Sequence, residues 1–479
     1  MCIQVGKNQY LFTSRELDVS CSAKVNILGY WLYLGADCKL FNYQSSIYVI
    51  GYAVDVCNPE KSLEEMCESL LSDSIKGNCG PQATRNWNGR YVIISVFDKL
   101  LVWHDCCGLK QVFYSFIEGK ISLASQARYI AEAFGLEKDG MASEYLDVVK
   151  KTNNEYSWVL GRTNYKNVKR LLPNHIIDTE KALVFRSGIE INRGSTQKAV
   201  NYIRNSLIGA SKIKPLCVTI TAGLDSRLVL AGCKNIDEYK PITLKYDWMK
   251  NDNKDISVAQ NLCKIMGLSH VVCTCKKPEK SYLDEYFRHS ENGHEYWAQM
   301  AYAVTTEHYS DFFWVKGSCN EIIRNSFGVL YNWQVNASML CKLYGLPKNT
   351  FVMTSLNEWL DGAKSYCNKY SIKLLDLFYW EHRMGCWLAE CLNEADFAGE
   401  TFTPFNCRAY LENGLGISYR YRIAPKYMFF QKIMRNLCEE VVDIPINEER
   451  YQSLKAKIAV IIKSRLHIIY GILLGIIPA

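Results

Sequence analysis

The segment 218–228, VTITAGLDSRL, contains the residue types with the clearest capacity for chemistry. A short apolar run breaks into small and polar residues before a helical pattern begins, which predicts a strand-to-helix turn. Backbone N–H groups at the start of a helix bind phosphate, and a carboxylate beside them can face a metal ion. The turn therefore predicts a site for the pyrophosphate end of a nucleotide, formed by Thr221, Ala222, Gly223, Leu224, Asp225 and Ser226. The alternative is a plain helix start capped by Asp225 or Ser226.

The sequence on either side of this turn predicts two kinds of sheet. Up to about residue 135, short runs alternate apolar and polar residues, which is typical of antiparallel strands. These strands are expected at 47–53, 90–97, 100–104 and 120–124, with a helix at 62–71. From about residue 197, strands at 216–221 and 241–246 alternate with helices at 197–209, 226–232 and 254–266. Such alternation predicts a parallel sheet, whose ligands lie beyond the carboxyl ends of the strands, where 221–226 is placed.

TAGLDSR resembles the SGGLDS pyrophosphate loop of the asparagine synthetase and β-lactam synthetase family, and further matches follow in the family's order. Downstream, Asp255, Gly267 and His270 are similar to one segment of the family's sequence. Residues 317–321 are similar to the family's Gly-x-Gly-Asp-Glu loop, and residues 400–405 are similar to its Glu-x-Arg-x-Pro-Phe segment. The upstream matches are to the family's amino-terminal nucleophile-hydrolase-like domain, at 88–94, 105–109, 113–114, 121–125 and 168–173. The resemblance covers roughly residues 20 to 445.

This resemblance implies a fold of mixed α/β and α+β class with three parts. Residues 1–190 would form a glutaminase-like antiparallel β-sandwich with helices, of the amino-terminal nucleophile-hydrolase type. Residues 195–445 would form an ATP-pyrophosphatase (PP-loop) domain with a parallel sheet and a helical carboxyl-terminal part. Residues 446–479 would form a basic and apolar tail.

The same resemblance implies a two-step, ATP-dependent ligase reaction. ATP adenylates a carboxylate and releases pyrophosphate, and a nitrogen nucleophile then displaces AMP to form an amide. The implied cofactors are ATP and Mg²⁺, with Gly317 beside the 221–226 loop and with Asp225 and Asn320 as metal ligands. The implied catalytic residues are Glu321, Glu400, Lys426 and Arg383.

Three departures from the family pattern alter these expectations. Ala222 places a methyl group where the family has glycine, which leaves the loop less backbone freedom for phosphate. Asn320 stands where the family has a metal-binding aspartate, and an amide oxygen binds magnesium less strongly than a carboxylate, so Glu321 is an alternative ligand. Phe402 replaces an arginine, which indicates that the acceptor carboxylate is not aspartate. Ala222 and Asn320 together leave open a nucleotide-binding pseudoenzyme without catalysis.

Cys2 occupies the position of the family's glutaminase nucleophile, which is exposed when Met1 is removed and uses its own α-amino group as the base. The residues after Cys2 and those around 51–52 lack the family's glutamine-binding signatures. We therefore expect an inert amino-terminal domain, with Cys2 as the alternative active nucleophile. The nitrogen donor is ammonia, glutamine or an amine, and the acceptor is a small-molecule carboxylate, for which a uronic-acid-type sugar is a candidate by analogy.

Residues 376–387 form a helix-like run with charged residues among aromatic ones. In one interpretation, Arg383 and Arg408 form an anion clamp in the acceptor pocket; in the other, they belong to a buried ion-pair or capping network. We expect His382 to be a packing histidine. Lys426 and Lys432 both match the family's catalytic lysine loosely, and a solvated helix face is the expectation for either one.

Composition excludes several classes of protein. The chain has 479 residues, a net charge of +7, 48% hydrophobic and 22% charged residues, which is ordinary for a globular protein of two or three domains. The modest and scattered positive charge argues against nucleic acid as a ligand. The 20 cysteines include no Cys-x-x-Cys pair, so zinc and thioredoxin-like sites are not expected.

The start and the end of the chain bear on localisation. The chain does not start with a secretory leader pattern, so a cytoplasmic protein with reduced cysteines is expected. The last segment, 455–479, joins basic residues to an apolar run at 468–478 that is too short to cross a bilayer, for which about 20 residues are needed. Docking of this tail on the protein body and peripheral contact with an anionic membrane both remain open. The oligomeric state is also open, with a homodimer as one alternative.

Overall fold

The structure is a computed structural model that describes residues 2–446, apart from 154, 251–252, 292, 329 and 425. The tail expected at 446–479 lies outside the described residues from residue 447 onward, and so does its expected membrane contact. Among the described residues, no helix is both long enough and apolar enough to pass through a bilayer.

The amino-terminal part is mostly antiparallel sheet. Its strands are β1 (Ile3–Gln4), β2 (Tyr10–Thr13), β3 (Val19–Ser20), β4 (Ala23–Ile27), β5 (Tyr30–Leu34), β6 (Leu40–Tyr43), β7 (Ile47–Asp55), β8 (Trp87–Ser95), β9 (Leu101–His104), β10 (Phe113–Ile117), β11 (Lys120–Ala124), β12 (Lys169–Arg170), β13 (His175–Asp178) and β14 (Leu183–Arg186). Its helices are α1 (Leu63–Ile75), α2 (Ala127–Phe134) and α3 (Gly140–Thr152).

Two six-stranded sheets pack face to face in this part. Their strand orders are β12-β10-β11-β2-β5-β4 and β14-β13-β9-β8-β7-β6, and β1 and β3 form a separate short pair. Side chains of a strand alternate between the two faces of its sheet. In β7, Tyr48 and Ile50 therefore join Phe12 in the core between the sheets, while Ile47 packs on the outer face with Met66 of α1. The result is a β-sandwich with helices on its outer faces.

The carboxyl-terminal part alternates helices with short strands. Its elements are α4 (Thr196–Ile213), β15 (Leu216–Thr219), α5 (Leu224–Gly232), β16 (Tyr239–Tyr246), α6 (Lys254–Ile265), β17 (Val271–Cys275), α7 (Lys280–His289), α8 (Glu295–Thr306), β18 (Phe313–Val315), α9 (Ala337–Tyr344), α10 (Thr350–Tyr370), α11 (Leu374–Phe378), a π-helical stretch (Tyr379–Leu388), α12 (Ala389–Ala395), β19 (Thr401–Phe402), α13 (Arg408–Leu415), α14 (Tyr419–Arg422) and α15 (Met428–Leu437). Short 3₁₀ helices lie at Cys233–Asn235, Asn320–Arg324, Asn332–Gln334 and Glu439–Val441.

The five strands of this part form one parallel sheet in the order β17-β16-β15-β18-β19. Parallel pairing places the carboxyl ends of all five strands at the same edge of the sheet. The segments that follow β15, β16 and β18 therefore meet there, and these segments build the candidate site.

The predicted fold class is confirmed, since the chain combines antiparallel sheets with a parallel sheet and many helices. The strand expected at 120–124 has exactly the bounds of β11 in the structure, and the other predicted elements differ mainly at their ends. The helix expected at 226–232 begins earlier, at Leu224, because the backbone is still extended at Gly223 and turns helical directly after it.

A buried ion pair joins the two parts. Arg90 of β8 donates to both carboxylate oxygens of Asp396, at 2.5 Å and 2.9 Å, and to the hydroxyl of Thr401 at 3.1 Å. Both charged side chains are almost fully buried. Removal of one partner of a buried ion pair strongly destabilises a protein. The pair therefore holds the sandwich against the helical part.

Candidate functional site

Thr221 and Ser226 close the turn between β15 and α5. Ser226 Oγ accepts a hydrogen bond from the Thr221 N–H at 3.1 Å, and the two hydroxyl oxygens lie 3.0 Å apart. Thr221 Oγ1 accepts from the Gly223 N–H at 3.2 Å. Gly223 is the N-cap residue of α5 and has no side chain with which to cap the helix, whereas the carboxylate of Asp225 accepts from its own N–H. Neither Asp225 nor Ser226 is the N-cap residue that the alternative of a plain capped helix start predicts, and N–H groups at the start of a helix can bind an anionic ligand.

Asp255 anchors this turn to the next helix. Its Oδ1 accepts from the Ala222 N–H at 2.8 Å, and its own N–H donates to Oδ1 of the N-cap residue Asn253 at 2.8 Å. Ala222 is buried and does not adopt a positive φ. Its methyl group therefore causes no backbone strain in the turn.

The predicted metal ligands Asp225 and Asn320 lie together, but they bind protein groups. Asn320 donates from Nδ2 to Asp225 Oδ1 at 2.7 Å, and its amide oxygen accepts from the hydroxyl of Tyr410 at 2.6 Å. The other Asp225 oxygen pairs with Arg324 Nη2 at 2.9 Å, and the same nitrogen lies 3.8 Å from Glu321 Oε1. One arginine thus faces both carboxylates.

Glu321 retains one free oxygen at this cluster. Its Oε2 is buried without a hydrogen-bond partner among the described residues. Burial, followed by repulsion from Asp225, raises the pKa of Glu321 to about 7, which the positive charges of Arg324 and Arg383 oppose. Burial also raises the pKa of Asp225, against the effect of Arg324 and Asn320. A carboxylate with a pKa near neutrality is suited to take up and release protons.

Gly317 brings the segment after β18 against the start of α5. A Cβ atom at this position would lie 2.7 Å from the carbonyl carbon of Asp225 and from the nitrogen of Ser226. Only glycine allows this approach of two backbones. The prediction that Gly317 lies beside the 221–226 loop agrees with this geometry.

A cavity of about 360 Å³ opens in front of these residues. Thr221, Gly223, Asp225, Ser226, Gly317 and Glu321 line one side of it. Aromatic side chains line the other side, where the ring of Tyr246 stacks on Trp248 at 5.9 Å and on Tyr296 at 4.6 Å. Trp248 and Tyr296 are 69% and 44% exposed, so their ring faces are accessible from solvent.

A second cavity of about 790 Å³ continues from the first and shares Trp248, Tyr296 and Trp297 with it. Its remaining lining includes Lys150 and Tyr156 from the segment around the end of α3. The two cavities together provide space for a nucleotide and for a second molecule at the same edge of the sheet.

Lys316, directly after β18, contributes its ammonium group to the lining of the first cavity. Its ammonium lies 3.0 Å from Met300 Sδ and 4.5 Å from the ring centroid of Trp297. No salt bridge links it to a carboxylate within the described part of the chain, and burial lowers the pKa of Lys316 to about 8. An unpaired ammonium at this position can bind an anionic ligand.

Arg383 lies in the π-helical stretch near the same cluster. Its guanidinium lies over the ring of Trp387 at 3.4 Å, donates to the hydroxyl of Tyr344 at 3.2 Å and pairs with Glu155 at 2.6 Å. Arg408, by contrast, is buried, lies over the ring of Trp380 and donates to Asn174 at 2.9 Å. The two arginines have no contact partner in common, so the anion clamp is not seen and Arg383 belongs to an ion-pair network.

Two other predicted catalytic residues lie away from the cavity lining. Glu400 precedes β19 and pairs with Lys214 at 2.5 Å, which places it at the amino-terminal edge of the parallel sheet, opposite the turn. This position does not support its expected catalytic role, because the residue before a strand of a parallel sheet lies at the edge away from the turn. Lys426 is exposed, and Lys432 is exposed on α15, as expected for solvated side chains.

The remaining sequence candidates have structural surroundings. His382 is fully buried and accepts from the Leu160 N–H at 3.3 Å, and burial lowers its pKa to about 3, in agreement with a packing histidine. Phe402 packs near Tyr52 and Phe313 in the core. Cys2 is exposed and lines a separate surface cavity of about 530 Å³. Its role as a glutaminase nucleophile stays a prediction.

No family model matches the chain. The amidase ChyE of Penicillium rubens is 25% identical over 146 residues, which are 27% of this chain and 20% of that protein. The chain therefore matches about a fifth of the length of this curated relative.

Two solved structures are also similar in part. NMN synthetase from Francisella tularensis has 14% identity and a TM-score of 0.22 and covers 38% of this chain and 83% of its own. Glutamine-dependent NAD⁺ synthetase from Acinetobacter baumannii, in complex with ADP, has 10% identity and a TM-score of 0.21 and covers 47% and 49%. With scores this low, neither likeness carries an inference about this chain.

Sequence reasoning missed Arg324, Lys316 and the aromatic side of the cavity. Lys316 had a signal, since it stands directly before Gly317 at the end of a strand. Arg324 follows Glu321 by three residues, but only the fold shows that it also reaches Asp225.

Proposed function

We propose that this protein is an ATP-dependent ligase that adenylates a carboxylate and transfers ammonia or an amine to it, with release of AMP and pyrophosphate. The observation that carries the proposal is the turn at 221–226, which presents the start of α5, without an N-cap side chain, to a cavity at the carboxyl edge of a parallel sheet. The N-terminus of a helix at this position favours binding of the negatively charged pyrophosphate end of ATP.

The first step forms a mixed anhydride. A carboxylate oxygen of the acceptor attacks the α-phosphorus, the bond from this phosphorus to the oxygen bridging to the β-phosphate breaks, and pyrophosphate leaves with the electron pair. Negative charge accumulates on the phosphates, and a cation fixed in a cavity offsets it without reorganisation. Lys316 is the side chain that we assign to this role.

The second step forms the amide. The nitrogen nucleophile attacks the carbonyl carbon of the acyl-adenylate, the bond from this carbon to the phosphate oxygen breaks, and AMP leaves. The nitrogen must lose a proton, and the unpartnered Oε2 of Glu321, with a pKa of about 7, is suited to accept it. Arg383 is close enough to act on the charge of Glu321, and we assign it a positioning role.

Asp225 and Asn320, which were expected to bind Mg²⁺, do not fit a directly bound ion, whereas the alternative ligand Glu321 keeps one oxygen without a partner among the described residues. Both Asp225 oxygens already accept from protein donors, and the Asn320 oxygen accepts from Tyr410. No step of the proposed reaction uses a metal bound at this pair. Magnesium remains in the proposal as the ion that accompanies the phosphates of ATP.

The proposal defines the acceptor and the nitrogen source only by their chemical class. A uronic acid stays a candidate acceptor; the second cavity offers aromatic ring faces and Lys150 to it, beside the carboxylates of Glu155 and Glu295. Ammonia or an amine is the proposed donor, with glutamine as the donor only if Cys2 acts as a nucleophile.

Exchange of labelled pyrophosphate into ATP, measured across a panel of carboxylic acids that includes uronic acids, tests the first step. We expect Ser226→Ala to lower exchange about tenfold, because the turn loses the hydroxyl that closes it. The matched control is Ser211→Ala on α4, whose hydroxyl bonds only within its own helix, to the Ile208 carbonyl at 2.8 Å. Nucleotide binding without exchange for any acid would support the pseudoenzyme, and no nucleotide binding would refute the proposal.

A further inference from the structure

The carboxylates of Asp225 and Glu321 both face the cationic side chain of Arg324. Arg324 Nη2 lies 2.9 Å from Asp225 Oδ2 and 3.8 Å from Glu321 Oε1. The three side chains are largely buried, with Arg324 and Glu321 about one-fifth exposed and Asp225 less. Two carboxylates this close to each other and away from water need a compensating charge, and Arg324 supplies it.

The local backbone explains how the arginine reaches both groups. The short helix Asn320–Arg324 is a 3₁₀ helix, in which residues three apart lie on the same side, so Glu321 and Arg324 project together. The residues that flank this helix, Cys319 and Asn325, both have left-handed backbones, with φ values of 77° and 57°. Gly317 brings the same segment against Asp225. The backbone therefore brings the three charged residues close together.

We propose that Arg324 is the fixed cation of this site and takes the place of a divalent ion bound by Asp225 and its neighbours. The inference rests on the proposed nucleotide site and deepens it. Asp225 presents one oxygen to Asn320 and the other to Arg324, so a divalent ion approaching it would meet N–H donors and a like charge. Arginine suits this role because its planar group stays charged and bonds to more than one oxygen.

Arg324 acts in this proposal as a positioning residue. It holds the carboxylates of Asp225 and Glu321 without a metal, and the only divalent ion in the complex is then the one that arrives with the nucleotide. The chain would consequently bind no divalent metal at Asp225 in the absence of nucleotide.

Titration of the full chain with Mn²⁺ alone, followed by calorimetry and by the electron paramagnetic resonance of free Mn²⁺, tests this. We expect no difference between the wild type and Asp225→Asn, because neither binds the ion at this position. Arg324→Met removes the charge and keeps the length of the side chain. We expect it to gain a Mn²⁺ site at least about tenfold tighter than any in the wild type, because a like charge has been removed.

Two further variants control this result. Arg324→Met combined with Asp225→Asn should lose the new site, which assigns it to the carboxylate. Arg162→Met removes an arginine that pairs with Glu358 at 2.8 Å outside the candidate site, and it should bind Mn²⁺ as the wild type does.

Two results would overturn the inference: wild-type Mn²⁺ binding that Asp225→Asn abolishes, or a folded Arg324→Met without a new site. If Arg324→Met does not fold, the comparison of the wild type with Asp225→Asn decides alone. Because Mn²⁺ is added without nucleotide, a failure of ATP binding would refute the proposed function and leave this result unaffected.

Discussion

Replacement of Gly317 by alanine should distort the turn at 221–226, because Gly317 packs directly against its backbone. The added Cβ would lie 2.7 Å from the Asp225 carbonyl carbon, 2.7 Å from the Ser226 nitrogen and 2.8 Å from Asp225 Cβ. Ordinary contacts of a Cβ begin at about 3.4 Å, and two of these three atoms are backbone atoms that cannot rotate away. The start of α5 or the segment after β18 must therefore move by roughly 0.7 Å.

Such overpacking costs about 1–3 kcal/mol of folding stability. The larger effect should be on ligand binding, because the atoms that move belong to the N–H groups proposed to hold phosphate. Loss of one or two well-placed hydrogen bonds to a charged group costs about 1.5–3 kcal/mol each, which lowers affinity by at least about tenfold.

Calorimetric titration with ADP, together with thermal unfolding, measures both effects. The matched control is Gly140→Ala at the start of α3, where a Cβ would meet no atom within 4 Å, so neither stability nor affinity should fall. If Gly317→Ala bound ADP as tightly as the wild type while remaining folded, the assignment of phosphate to this turn would be wrong.

Three further predictions concern charged groups. Because burial lowers the pKa of Lys316 to about 8, wild-type affinity for ADP should fall as pH rises above 8, and Lys316→Arg should prevent this fall. Burial alone would lower the pKa of His294, but Glu394 at 2.8 Å raises it from 6.5 to about 9. The resulting stabilisation, roughly 3 kcal/mol, is present below pH 6.5 and lost as pH rises through 9, so denaturant titrations of His294→Gln should show no such loss. Asp396→Asn leaves the Arg90 charge buried and should cost about 3–5 kcal/mol, measured by unfolding and by faster proteolysis between the two parts.

The sequence was informative wherever a local pattern decides the structure. The alternation in 47–53 and 120–124 is a property of neighbouring residues, and β7 and β11 contain these segments. The break from an apolar run into TAGLDS likewise predicts a turn between a strand and a helix without knowledge of any distant contact. Both the fold class and the place of the turn could therefore be predicted.

The contacts within the site depend on distant segments, and no local pattern reports them. Glu400 was expected near the nucleotide from a motif alone, yet β19 runs parallel to β18 and leaves this residue at the far edge, paired with Lys214. Arg324 and Asp225 are 99 residues apart in the chain and meet only because β15 and β18 are neighbours in the sheet. The positive charge of Arg324 beside the predicted metal ligand Asp225 can therefore be recognised only from the fold.

The shape of the second cavity gives the amino-terminal part a role that does not depend on Cys2. Lys150 and Tyr156, which come from α3 and the segment after it, line this cavity together with residues that follow β16 and residues of α8. Tyr156 stacks on His294 at 4.1 Å and donates to the Gly293 carbonyl at 2.9 Å, which fixes this segment to the start of α8. Without the amino-terminal part, the cavity would lose Lys150, Glu155 and Tyr156 from its lining. Where the acceptor of the proposed reaction binds in this cavity, both parts of the chain contribute to its site, with or without glutaminase activity in the first part.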